Sequence, residues 1–280
     1  MGQEIKLGDR LQITSNSLFG IATVIRIEEV DAENQKGALV SFRFDDLGYT
    51  TNPYFYENGE ILSSRIDERK GRSGMPKEYA NCTAKDFKWD WYGEDTTPQK
   101  KIANDFVCNF DKYLLSGRGL YIYSETKGSG KTKLSCIITN EILKRKDISV
   151  RFISVTEYIE LIKQKDDDSQ NEVKAIFDAG LLVFDDIGTQ TENKDWISTA
   201  LYRLIDSRYR NHLPTIYTSN VKILDLKTDS RIAERIYELS TVLPMPEVNI
   251  RRQIADKHTQ QFLGELLNDN IGQSIWDSSQ

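Results

Sequence analysis

Histidine occurs only at His212 and His258, and cysteine only at Cys82, Cys108 and Cys136. Two histidines leave imidazole-based metal or triad chemistry with almost no residues to work with. The cysteines are far apart and odd in number. They form no metal-ligand or disulfide spacing, which suits a reducing cytoplasm. No apolar run approaches the roughly 20 residues that span a bilayer. Met1 to Lys6 lacks a signal-peptide core and the myristoylation pattern. A cytoplasmic location without a membrane partner is therefore expected. Positive charge is also short, with a net charge of −6. Proteins coated in nucleic acid are usually basic, so any DNA contact is expected to be a local patch. There is no internal repeat.

The chain has 280 residues, 39% of them hydrophobic and 29% charged, enough for one sizeable core and a small extra domain. Its most informative stretch is Gly119 to Ser135. The apolar run Leu120 to Tyr123 reads as a buried strand. It breaks into a loop ending Gly128-Ser129-Gly130-Lys131-Thr132. A helical pattern follows with Leu134, Ile137, Ile138 and Ile142 on one face. Strand, loop and helix in that order are the setting of a phosphate-binding loop. N–H groups at a helix N-terminus point at an anion. Gly128 and Gly130 let the backbone approach closely. Lys131 is expected to reach the outer phosphates, and the Thr132 hydroxyl to ligate Mg²⁺. Lys127 to Lys133 form the candidate nucleotide-binding run, including Ser129. Glu125 stands where the pattern has its first glycine. It would repel a polyphosphate unless its side chain points outward.

Residues 1–63 differ from the rest. Apolar positions alternate at Leu11 and Ile13; at Ile21, Ile25 and Ile27; at Val40, Phe42 and Phe44; and at Tyr54 and Tyr56. Turn residues separate them at Ser15-Asn16, Asp31 to Gly37, Asp45 to Gly48 and Asn58-Gly59. This pattern predicts a small all-β unit, a barrel of SH3 or Tudor size, serving as a protein-binding module or as a stabilising appendage. Residues 64–74 read as a linker, and 75–280 as the second domain.

There the pattern alternates. Helices are predicted over Gln99 to Leu115, Lys131 to Lys146, Thr156 (as cap) to Lys165, Asn171 to Ala179, Lys194 to Tyr209, Ser230 to Glu238 and Arg251 to Leu267. Strands are predicted over Leu120 to Tyr123, Val150 to Ser154, Leu181 to Phe184 and Thr215 to Thr218. Lys165 to Gln170 reads as an exposed loop. The fold class is α/β with a parallel sheet.

Leu181 to Asp186 is an apolar strand ending in two acids, about fifty residues after the loop. Asp185 is expected to hold Mg²⁺ through water, and Asp186 to orient or deprotonate an attacking water. Thr215 to Asn220 is a second such strand, whose Asn220 is placed to hydrogen-bond a γ-phosphate or that water. Arg231 and Arg235 lie one turn apart on a helix, where one arginine can reach a neighbour's γ-phosphate. Arg251-Arg252 opens a later helix able to reach the nucleotide in the same subunit. Lys194, Arg203, Arg208 and Arg210 supply either part of a single-stranded DNA path or a solvated helix face.

These motifs, in this order, resemble the AAA+ ATPases. More narrowly they resemble the bacterial replicative-helicase loaders of the DnaC/DnaI type and the related IstB-type transposition ATPases. The resemblance covers residues 75 to 260. It is carried by Met75 to Tyr79 with Phe87, Lys127 to Thr132, Leu181 to Gly188, Leu201 to Tyr209, Leu213 to Asn220 and Arg231 to Arg235. It implies ATP and Mg²⁺ as ligands. Lys131 and Thr132 become the Walker A residues, Asp185 and Asp186 Walker B, and Asn220 sensor I. Arg235, or else Arg231, becomes an arginine finger acting in trans between self-associated subunits, and Arg251 becomes sensor II. The implied function is ATP-dependent loading of a replicative helicase, with slow hydrolysis and contact to single-stranded DNA. The alternatives are an ATPase regulating a transposase and a nucleotide-binding scaffold. Asp186 stands where many AAA+ proteins carry glutamate, and the β-rich N-terminal unit is not what the usual loaders carry.

Overall fold

The computed structural model describes residues 6–14, 19–32, 35–44, 54–57, 60–61, 69–146, 148–188 and 195–268. The described residues form two five-stranded sheets. In the first, β1 (Arg10–Thr14), β2 (Phe19–Ala32), β3 (Gln35–Phe44), β4 (Tyr54–Glu57) and β5 (Glu60–Ile61) pair antiparallel in chain order. The turn expected from Asp31 to Gly37 is narrower, because β2 and β3 stay paired out to Ala32 opposite Gln35. Ser15-Asn16, Asp45 to Gly48 and Asn58-Gly59 lie outside the described residues, although Glu57 faces Glu60 across the last pair. A β-bulge between Val24 and Arg26 interrupts the alternation read from Ile21, Ile25 and Ile27. One extra residue reverses the facing of all that follow. Val24, rather than Ile25, is the fully buried side chain, as is Val40 on β3.

The second sheet is parallel. Its strands are β6 (Gly119–Tyr123), β7 (Val150–Ser154), β8 (Leu181–Ile187), β9 (Thr215–Ser219) and β10 (Ser240–Pro244), in the order β10-β6-β9-β8-β7. β10 escaped the sequence reading because Ser240, Thr241 and Pro244 dilute its apolar signal, yet it pairs with β6 residue for residue. Side chains alternate between two covered faces, as a sheet buried on both sides requires. Leu120, Ile122, Val183 and Ile216 pack into one cluster, and Tyr121, Leu182, Phe184 and Tyr217 into the other.

The first face is covered by α1 (Thr97–Cys108), α2 (Phe110–Ser116) and α3 (Lys131–Leu143), through Phe106, Phe110, Leu134, Ile137 and Ile138. The single helix expected from Gln99 to Leu115 is broken at Asn109. Its amide donates to Asp105 Oδ1 at 2.6 Å while Tyr113 takes Asp105 Oδ2, a side-chain network that favours a turn there. The opposite face carries α4 (Val155–Leu161), α5 (Asp167–Asp178), α6 (Asp195–Arg210) and α7 (Ser230–Glu238). The cap of α4 is Ser154, not Thr156, in a capping box with Glu157. The stretch Lys165 to Gln170, expected as a loop, starts α5: Asp166 caps it and Asp167 and Asp168 fill its first turn, where acids suit the helix dipole. A last helix, α8 (Ile250–Asn268), leaves the body largely exposed. Part of the stretch read as a linker is seated on edge strand β7. Ser73 is fully buried and its carbonyl accepts the Phe152 N–H at 2.6 Å.

Arg208, near the end of α6, is 1% exposed. Its guanidinium donates to the carbonyls of Ile176, Phe177, Ala179 and Pro214 and to Thr215 Oγ1. Three of these acceptors lie at the C-terminal end of α5, where carbonyls lack helical partners and a positive charge is favourable. Burial lowers its pKa to about 10. Arg208 is thereby removed from the residues considered for a DNA path. Its replacement by Met would strand these carbonyls and is expected to destabilise the fold by about 3 kcal/mol. Equilibrium urea unfolding measures this, and an unchanged midpoint would refute the bracing role.

Candidate functional site

The loop between β6 and α3 opens at the C-terminal edge of the sheet, where open α/β sheets form their crevice. Gly128 (φ 76) and Gly130 (φ 89) both adopt the left-handed conformation. A Cβ at Gly130 would also crowd the Tyr92 hydroxyl at 3.0 Å. That hydroxyl donates to the Ser129 carbonyl at 2.6 Å and fixes the loop from the Phe87–Tyr92 segment. Lys131 is 6% exposed; its Nζ donates to the carbonyls of Ser124 (3.1 Å) and Thr126 (3.2 Å) and to Ser129 Oγ (3.3 Å). Burial lowers its pKa, opposed by the charges of Asp186, Glu247 and Asp185.

β8 brings both acids to this loop through a break in its ladder. Phe184 pairs with Tyr217 and Ile187 with Ser219, so Asp185 and Asp186 together face the single residue Thr218. Thr218 bonds both: its hydroxyl donates to Asp185 Oδ1 at 2.6 Å and accepts the Asp186 N–H at 2.9 Å. Ser219 Oγ donates to the Ile187 carbonyl at 2.7 Å. These two buried hydroxyls serve backbone and carboxylate groups where the regular ladder lapses. Asp186 has φ 60, a left-handed geometry that aspartate tolerates better than most residues. Thr132 Oγ1 donates to Asp185 at 3.0 and 3.2 Å and so ties the loop to the acid strand. Burial, with Asp186 alongside, raises the Asp185 pKa to about 6 despite the hydrogen bonds from Thr218 and Thr132.

Glu125 does not obstruct the loop. Its side chain is 66% exposed and pairs with Lys222 at 3.8 Å. Its φ is not left-handed, so the position does not require glycine. A carboxylate from another segment is closer to the loop backbone: Glu247, just after β10, accepts the N–H groups of Glu125 (3.0 Å) and Thr126 (2.6 Å) and the Ser124 hydroxyl (3.0 Å). No motif in the sequence marked it. Arg251 opens α8 beside the loop, its N–H donating to the Gly128 carbonyl at 3.0 Å. Asn249 and Arg251 leave no space for a Cβ at Gly128.

Lys131, Thr132, Asp185, Asp186 and Arg251 therefore converge. Asn220 follows β9 directly and is half-buried. Lys127 is exposed, and Lys133 faces Cys82 and Asp86. The α7 arginines are engaged elsewhere within the subunit. Arg235 Nε meets Asp206 at 2.7 Å and Nη2 the Tyr202 hydroxyl at 3.0 Å. Arg231 pairs with Asp229 and lies over the Tyr202 ring, its side chain 60% exposed. Arg203 and Arg210 are exposed, Arg210 pairing with Asp206, while Lys194 lies outside the described residues.

The profile of IstB-like ATP binding proteins matches residues 82–233, more than half of the chain. The chain belongs to the IstB-like ATP-binding family. It is 28% identical over 195 residues to the replicative helicase loader DnaC of Escherichia coli strain K12, covering 64% of this chain and 76% of that protein. A crystal structure of the DnaC helicase loader superposes with a TM-score of 0.51 and 25% identity, covering 61% of this chain and 99% of that one. The DnaI crystal structure gives 0.53 at 23% identity, covering 65% and 98%, and shows a shared fold.

The residues of this IstB-like chain fit a magnesium-bound nucleotide. Two left-handed glycines shape the cradle, a buried ammonium lies inside it, and a hydroxyl and a carboxylate in contact are a donor set Mg²⁺ accepts beside phosphate and water. Asp185 is held at a disadvantage to folding. The folded state keeps its proton up to about pH 6, whereas the unfolded chain releases it near 3.8. Stability is therefore lost as pH rises between these values and stays lost above them. With Mg²⁺ chelated, Asp185→Asn is expected to be more stable than the parent at pH 8 by about 2 kcal/mol, with the difference closing toward pH 4. Urea unfolding at both pH values tests this; a destabilised variant at pH 8 would contradict it.

Proposed function

We propose that this chain is an ATP-dependent loader of a replicative DNA helicase. The observation that carries the reading is the contact of Thr132 with Asp185, which joins a phosphate-type loop to an acid-bearing strand in a chain related to DnaC. Lys131 binds and orients the outer phosphates, with loop N–H groups from Lys127 to Lys133 around them. Thr132 and Asp185 would hold the metal, which when bound would neutralise charge on the phosphate oxygens. Asp186 takes the proton of the attacking water and Asn220 orients it, giving slow turnover because the aspartate is short. Arg251 contacts the nucleotide in cis. Arg235, or Arg231, completes the site of an adjoining subunit.

Residues 75–280 form the ATPase domain in this reading, and 64–74 connect it to a small β-barrel-like unit, 1–63, that docks a protein. Exposed bases such as Arg203 and Arg210 contribute to a single-stranded DNA path. The IstB-like family match keeps a transposase as the alternative partner. A pull-down with the full chain against a helicase and a transposase distinguishes the two.

Lys131→Ala is expected to abolish binding of a fluorescent ATP analogue; wild-type affinity would refute the site. Arg235→Ala is expected to retain analogue binding and to lose hydrolysis measured with and without single-stranded DNA. Unchanged turnover in a variant with an unchanged unfolding midpoint would reassign the finger.

A further inference from the structure

Glu247 lies outside the loop, the acid strand and the strand that follows it. Yet its carboxylate accepts three hydrogen bonds from the loop's entry limb, against the two that Lys131 donates to it. The limb Ser124 to Thr126 is gripped from two sides. Lys131 takes its carbonyls, at Ser124 and Thr126. Glu247 takes its N–H groups and the Ser124 hydroxyl, at 2.6 to 3.0 Å. These bonds hold the Glu247 carboxyl below its usual pKa although burial opposes them.

The two grips differ in what a nucleotide does to them. Lys131 can serve a phosphate only by giving up one of its present partners, two of which are carbonyls of this limb, since an ammonium has three donors and here uses three. Glu247 has no such competing duty. It is also fixed at its base. Met245 N–H donates to the Tyr123 carbonyl at 2.7 Å, continuing the β10–β6 ladder. Four residues after Glu247, Arg251 N–H holds the Gly128 carbonyl.

We propose that Glu247 is a positioning residue that keeps the entry limb of the phosphate loop open when Lys131 turns to the nucleotide, and that it couples the loop to α8 and Arg251. The inference rests on the nucleotide site proposed above. It also accounts for Glu125: the backbone there is anchored by an acceptor from another segment, so the position holds its shape without glycine.

The test compares Glu247→Ala, Glu247→Asp and Lys131→Ala with the parent, reading the affinity for a fluorescent ATP analogue with Mg²⁺ and the unfolding midpoint without nucleotide. Loss of two to three charge-assisted hydrogen bonds to the limb predicts affinity about tenfold weaker for Glu247→Ala. Glu247→Asp should recover part of the affinity, and the midpoint should move little. Amide exchange at Thr126 should quicken in Glu247→Ala only. Parent-like affinity in Glu247→Ala, or a loss explained wholly by a lower midpoint, overturns the role. If the parent does not bind the analogue, or Lys131→Ala binds it equally well, the nucleotide site itself fails and Glu247 with it.

Discussion

Two acids face one threonine where β8 slips against β9, and the site is built around that slip. In a regular strand, neighbouring side chains point to opposite faces of the sheet. Asp185 and Asp186 would then point to opposite faces. The extra residue suspends the alternation, and Asp186 turns left-handed to complete it. A left-handed non-glycine residue costs on the order of 1 kcal/mol and persists only where its surroundings over-determine it. Thr218 and Ser219 are those surroundings: one hydroxyl holds the Asp186 N–H and the Asp185 carboxylate, the next holds the Ile187 carbonyl. An aspartate at position 186 suits this backbone, since its short side chain is among the better tolerated in that region.

The slip acts through Asp185 on everything nearby. Its carboxylate is 7% exposed and charged at neutral pH, a costly arrangement that two hydroxyls relieve only in part. The same disadvantage would favour the metal-ligand role proposed for it, because a cation satisfies lone pairs that folding has taken from water. The loop is prepared in the matching sense. Its ammonium is buried, its glycines are already left-handed, and its entry limb is held by Glu247. The reorganisation that remains for a ligand to drive is centred on the Lys131 ammonium, whose three donors are already in use.

Much of this was legible in the sequence, and the failures have local causes. The strand-loop-helix context, the order of the elements and the convergence of Lys131, Thr132 and Asp185 follow from apolar periodicity and glycine spacing, which act over a few residues. The acid run at Lys165 to Gln170 looked like solvated loop because charge density outweighed the cap-and-first-turn pattern that Asp166 in fact begins. Arg208 looked like surface because arginine usually is; only the assembled fold brings the carbonyls of α5 and of Pro214 around it. Val24 was hidden by a bulge, which shifts the very periodicity that reveals strands. Glu247 was hidden most completely. Its partners lie more than a hundred residues away, and nothing in Pro246 to Asn249 suggests a contact with the loop.

The trans role proposed for Arg235 has to be weighed against the contacts it makes within its own chain. Arg235 binds Asp206, which is 6% exposed, and a buried carboxylate left without a partner is costly. Taken alone, that pair would resist any departure of the arginine toward a neighbouring subunit. Asp206, however, also holds Arg210 through its second oxygen at 2.7 Å. Withdrawal of Arg235 leaves the carboxylate paired, and Arg210, on the exposed end of α6, loses nothing by taking up the charge. The rings of Tyr202 and Tyr209 lie 4.9 and 5.5 Å from the Arg235 guanidinium, attractions that favour its present place without binding it as firmly as an unshared ion pair. An arginine sharing its acid in this way gives up its hydrogen bonds to Asp206, the Tyr202 hydroxyl and the Arg231 carbonyl when it moves, but strands no buried charge. The trans role proposed for Arg235 requires that condition.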